Sequence, residues 1–77
     1  MKEQTLLRRI EIKPNIMFGK PVIRGTRLTV DLIVEKMAFG ATMEDLKRDY
    51  PFLKEEDIKA ALLYAAKRVA LEEIYAT

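Results

Sequence analysis

Two arginines, Arg24 and Arg27, flank a single glycine turn in "GKPVIRGTRLTV", residues 19–30. A guanidinium is a planar fork that meets a carboxylate or a phosphate with two parallel hydrogen bonds, so the stretch carries the means to recognise an anion. Two roles are open to these side chains. Either they pair with Asp31, Glu35 or a helix carbonyl and hold the turn, or Gly25 presents them to a partner. Lys20 and Arg9 extend the same basic patch if the two extended segments that carry them pair.

Charge distribution points to the same end of the chain. The net charge is only +2, but residues 1–30 carry seven basic side chains against Glu3 and Glu11, while residues 31–77 carry ten acidic against seven basic. A positive potential on one end favours an anionic partner there, nucleic-acid backbone or an acidic protein surface.

Catalysis and metal binding find little to work with. The chain has no histidine, cysteine, serine or tryptophan, so the common nucleophile and base pairs and the usual zinc ligands are missing. A threonine or lysine nucleophile would need a pocket that three short helices hardly enclose. The expectation is no enzyme, no cofactor and no metal. Gly19 and Gly25 lack the spacing and the following lysine of a phosphate loop, and "MEDLKRD" and "KEED" lack the alternation and turn glycine of a calcium loop. Acids at those places suit helix N-termini.

The elements that must position the arginines follow from periodicity. In "RRIEIK" Ile10 and Ile12 alternate with charges, which predicts a strand over 8–13 with both isoleucines on its buried face, stopped by Pro14. "PVI" predicts a second extended segment. Gly25 fits the third position of a type II turn over Ile23 to Thr26, where positive φ is required, and Gly19 is a second structural turn glycine.

The period then becomes helical. The first helix has Thr29 as N-cap, Asp31 in its first turn, a stripe of Val30, Ile33, Val34, Met37 and Ala38, and Gly40 as its stop. The second has Thr42 as N-cap and ends near Asp49, before Pro51. The third begins in "KEED" and carries Ile58, Ala61, Leu62, Ala65 and Val69 as one stripe. Leu63, Ala66, Ala70 and Ile74 widen that stripe beyond what two short helices cover, which marks them as an oligomer interface.

The sum is one α+β domain over 1–77: a short two-stranded β element over 8–28, then a three-helix bundle over 30–75 whose last two helices have a helix-turn-helix layout. Leu46, Phe52 and Ile58 would form that unit's small core. Glu55, Glu56 and Asp57 stand where a reading helix approaches phosphate, which argues against DNA contact by that helix. No signal-peptide core and no membrane-spanning run occur, so a cytoplasmic protein is expected. A chain this small buries only roughly 60% of its unfolded surface, which favours a homodimer or a partner.

The motifs "GKPVIRGTR", "GATMEDL", "YPFL" and "EDIKAALLYA", in this order, resemble the small prokaryotic family known only as domain of unknown function 433, from about Ile10 to Ala65. Phe18 stands where many members have a second glycine, and Lys54 where a serine or threonine commonly caps the last helix. The resemblance implies a helix-turn-helix-like fold and an antitoxin role of the VapB type, with a PIN-like nuclease toxin as partner; the function expected is neutralisation of that toxin, together with binding of the chain's own operator DNA as a dimer. An arginine entering the nuclease's carboxylate cluster would replace its magnesium, and Arg24 and Arg27 are the candidates. The alternatives are a stand-alone DNA-binding regulator and a structural interaction domain.

Overall fold

A computed structural model describes the backbone of residues 2–76 and the side chains of residues 2–71. The order is α1 (Glu3–Leu7), β1 (Ile10–Glu11), β2 (Val22–Ile23), α2 (Val30–Ala38), α3 (Met43–Asp49) and α4 (Glu55–Ala76). The class is α+β as the sequence predicts, with four α-helices among the described residues rather than three. β1 and β2 pair antiparallel, Ile10 opposite Ile23 and Glu11 opposite Val22.

The core lies between the hairpin and the helices. Ile33, Leu46 and Ile58 are fully buried, joined by Ile23, Leu28, Val30, Leu53 and Ala61. Burying a side chain of this size contributes roughly 1.5–3 kcal/mol, so these few positions supply much of what holds so small a fold.

Local signals place the middle of the chain. Thr42 and Asp45 form a reciprocal capping box, the Thr42 hydroxyl accepting from the Asp45 N–H at 3.1 Å and the Asp45 carboxylate from the Thr42 N–H at 2.9 Å. α2 closes on Gly40 at φ +102°, with the N–H groups of Gly40 and Ala41 donating to the carbonyls of Met37 and Lys36. That pair of bonds is a Schellman stop, which needs a left-handed residue at the glycine. Thr29 occupies the N-cap position of α2, but its side chain caps no backbone N–H; it lies beside the Asp31 carboxylate instead.

Several expectations are corrected. The strand of 8–13 is only Ile10–Glu11, because α1 and its exit turn occupy the residues before it and a turn closed by Ile16 N–H to the Lys13 carbonyl follows it. Ile12 therefore leaves the buried face and is 56% exposed. In the turn after Pro51 it is Leu53 that enters the core, while Phe52 is half exposed, edge-on to Tyr50 with ring centroids 6.1 Å apart. Ala38 and Val69 are exposed ends of their stripes. α1 has no side-chain cap and no buried residue of its own. It forms because it packs along α4, where Glu3 pairs with Lys67 at 2.6 Å. Ala60, Leu63 and Lys67 lie on one face of α4 at helical spacing, so this helix covers part of the stripe that otherwise calls for a second subunit. Leu63 is half-buried, Ala66 and Ala70 are exposed, and the Ile74 side chain lies outside the described residues.

The segment between the strands runs through three successive positive φ angles, Met17 at 48°, Phe18 at 59° and Gly19 at 80°. For the two non-glycine residues this left-handed geometry costs roughly 1–2 kcal/mol each.

Two carboxyls are held below their ordinary value of 3.8: Asp31, by the Thr29 hydroxyl and then Lys20 against the opposing effect of burial, and Asp45, by the Thr42 N–H and then Arg48. A depressed folded value means that the stability these groups contribute is complete above 3.8 and lost as pH falls through the folded values. Urea midpoints are expected to hold steady from neutral pH down to about 5 and to fall below about 4, with a smaller acid loss in Asp45→Asn. An acid loss of the same size in that variant would remove Asp45 from the account.

Candidate functional site

The hairpin register brings Arg9 and Arg24 side by side. Arg24 N–H donates to the Arg9 carbonyl at 2.8 Å, and Arg24 Nε donates to the Arg8 carbonyl at 2.7 Å. Its Nη1 reaches Glu11 Oε2 at 3.4 Å, and the other Glu11 oxygen accepts the Gly25 N–H, also at 3.4 Å. The turn itself is the type II turn expected: Gly25 has φ +78°, and Thr26 N–H donates to the Ile23 carbonyl at 3.0 Å. No atom lies within 4 Å of where a Cβ on Gly25 would stand, so conformation and not space demands the glycine. The Thr26 hydroxyl stitches the turn by donating to the Ile23 carbonyl at 2.8 Å and accepting from the Leu28 N–H at 3.0 Å.

Around this turn opens a cleft of about 610 Å³. Arg8, Arg9, Arg24 and Lys54 supply its positive charge, and Phe52 forms an aromatic wall. Asp57 is the carboxylate that lines it, and it is already engaged. Its Oδ1 takes the Arg9 Nη1 at 3.0 Å, and its Oδ2 accepts the Lys54 N–H at 3.0 Å, closing the start of α4 where Lys54 has no hydroxyl to do so. Asp57 is 7% exposed, so it is not a carboxylate facing a ligand. Arg8, Arg24 and Lys54 remain to meet an anion. Arg24 is 59% exposed at its side chain and braced on the hairpin, so it is presented with little freedom left to lose.

The four basic residues singled out in the sequence thus divide. Arg24 and Arg9 enter the cleft, Arg24 as a presented fork and Arg9 mainly as the partner of Asp57. Lys20 lies on a different, apolar groove and pairs with Asp31 at 3.2 Å. Arg27 is exposed, lines neither cavity and has no ion-pair partner among the described residues. Arg8, Lys54 and Phe52 are not among the site residues that the sequence points to. The adjacent "RR" could have suggested Arg8, but Lys54 and Phe52 reach the cleft only through the fold.

The sequence pattern of the family described as "Protein of unknown function (DUF433)" matches residues 10–65, well over half of the chain. The chain belongs to the DUF433 family. A crystal structure of a DUF433 member from Anabaena variabilis ATCC 29413 has the same fold, with a TM-score of 0.77 and 32% identity over 96% of this chain and 74% of that one. The uncharacterised protein y4eO of Sinorhizobium fredii (strain NBRC 101917 / NGR234) is 38% identical over 52 residues, 68% of this chain. This chain spans about a quarter, 24%, of that protein's length. The DUF433 match takes in the glycine turn and the start of α4, two of the three elements that build the cleft, and begins just after Arg8 and Arg9. No helix among the described residues is long and apolar enough to cross a membrane.

Proposed function

We propose that the chain is an antitoxin-like binding module, of the VapB type, whose basic cleft engages the carboxylate cluster of a PIN-like nuclease toxin. The observation that carries the reading is the convergence of Arg8, Arg24 and Lys54 on one cleft, with the Arg24 fork braced by the Arg8 carbonyl and Glu11. Nuclease carboxylates that bind magnesium are close-set and desolvated, and a guanidinium there replaces the metal's charge while blocking substrate phosphate. This is recognition without catalysis, and it needs no cofactor.

A second reading, binding of operator DNA as a dimer or action as a stand-alone regulator, has its own support. α3, the turn over 50–54 and α4 have a helix-turn-helix layout. Asp57, one of three carboxylates that argue against phosphate at the start of α4, is neutralised by Arg9, and Glu55 pairs with Lys59 at 3.6 Å. Phe52 beside four cations would also stack a base.

Titration calorimetry against the protein encoded by the adjacent reading frame tests the first reading. Micromolar or tighter binding is expected, lost in the Arg8→Ala/Lys54→Ala double variant. The second is tested with DNA from the chain's own upstream region. Phosphate contacts release counterions, so log affinity should fall linearly with log salt, and the double variant should flatten the slope by roughly one unit for each cation removed from a phosphate. DNA binding with that slope and no affinity for the neighbouring protein would favour the regulator. Absence of both would overturn the cleft as a functional site.

A further inference from the structure

On the face that carries Lys20, away from the basic cleft, the chain holds a knob and a groove. The knob is Phe18, 98% exposed at the middle of the left-handed run over Met17, Phe18 and Gly19. That run is pinned by Gly19 N–H to the Ile16 carbonyl and Lys20 N–H to the Met17 carbonyl, both at 3.1 Å. A large aromatic held in water by unfavourable backbone geometry gains nothing for the folded monomer, and strained positions that persist mark places where something else over-determines them. The groove begins at the next residue. Among the described residues Ile12, Pro21, Val34, Tyr64, Ala65 and Val69 enclose an apolar trough of about 710 Å³ between α2 and the outer half of α4.

We propose that this face is the interface of a homodimer, in which Phe18 of each copy enters the groove of the other. Two features select a second copy as the occupant. Knob and groove lie together on one surface, so a two-fold axis through it satisfies both at once, the self-complementarity that an isologous interface requires. The rim is of mixed sign, Lys20 and Arg68 with Asp31 and Glu35, which matches its own image and suits neither a polyanion nor a strongly basic partner. A buried aromatic anchor in an apolar pocket, ringed by polar groups, is the usual centre of binding energy in such contacts.

The interface differs from the Leu63, Ala66 and Ala70 stripe on α4 and is independent of what the basic cleft binds. Sedimentation equilibrium from micromolar to submillimolar concentration should show a dimer for the full chain. Phe18→Asn, which keeps a residue tolerant of left-handed geometry, should be monomeric over the same range while still unfolding in one cooperative transition. A chain with no cysteine permits a direct test of geometry: a mixture of Phe18→Cys and Val69→Cys chains should form the mixed disulfide on mild oxidation in preference to either homodisulfide. A monomeric parent at the highest concentration overturns the proposal. So does a dimer that survives Phe18→Asn without the mixed disulfide, which would move the interface to another face.

Discussion

Asp57→Ala is expected to lower the free energy of unfolding by about 3 kcal/mol. Two effects combine. The Lys54 N–H loses its acceptor at the start of α4, a loss of about 1 kcal/mol for a helix N-terminus. Arg9, whose side chain is 31% exposed, loses its carboxylate partner at 3.0 Å, which leaves a half-buried guanidinium unpaired at a cost of about 1–3 kcal/mol. A fully buried broken pair would cost about 3–5 kcal/mol, and partial exposure of Arg9 places this one lower. Arg9→Ala alone should cost about 2 kcal/mol, and the double variant should lose little more than Asp57→Ala, because both single changes remove the same bond. Urea unfolding of the four proteins at pH 7 measures this cycle. Additive losses would mean that the two side chains act independently and that the pair behaves as a surface contact.

Arg24→Ala and Arg27→Ala are expected to part company. Arg24 lines the cleft, so its loss should weaken binding of the acidic partner by about 2–5 kcal/mol, the range for removing one member of a desolvated charge pair. Its exposed contact with Glu11 limits the stability loss to roughly 1 kcal/mol. Arg27 is exposed outside the cleft, and Arg27→Ala should leave both the melting temperature and the affinity close to those of the parent. Thermal melts and calorimetry on the same samples separate the outcomes. A melt lowered strongly in Arg24→Ala, with affinity per folded molecule intact, would make that arginine a brace for the turn and nothing more.

What the sequence determined by itself is local. The capping box at Thr42 and Asp45, the stop at Gly40, the break at Pro51 and the Gly25 turn each close through hydrogen bonds between residues no more than five apart. Side-chain chemistry and backbone preference at those positions suffice to specify them. The two extended segments were legible from alternation and β-branching, though their length was not, because strand ends depend on what packs beyond them.

What only the tertiary structure decided is long-range. α1 has neither a cap nor length enough to stand alone, and exists because α4 offers it a surface. Arg9 and Asp57 are 48 residues apart, and no sequence signal joins them; packing α4 beneath the hairpin converts an acid that reads as repulsive to an anion into the clamp of the site. The same packing brings Lys54 and Phe52 to Arg24, 28 or more positions away in sequence. Phe18 is the converse case: local preference disfavours its left-handed backbone by roughly 1–2 kcal/mol, and nothing in the neighbouring residue types announces it. Short-range hydrogen bonds are written in neighbouring residue types, whereas a cleft assembled from three elements depends on how buried faces of α4 and the hairpin fit, which only the folded chain fixes.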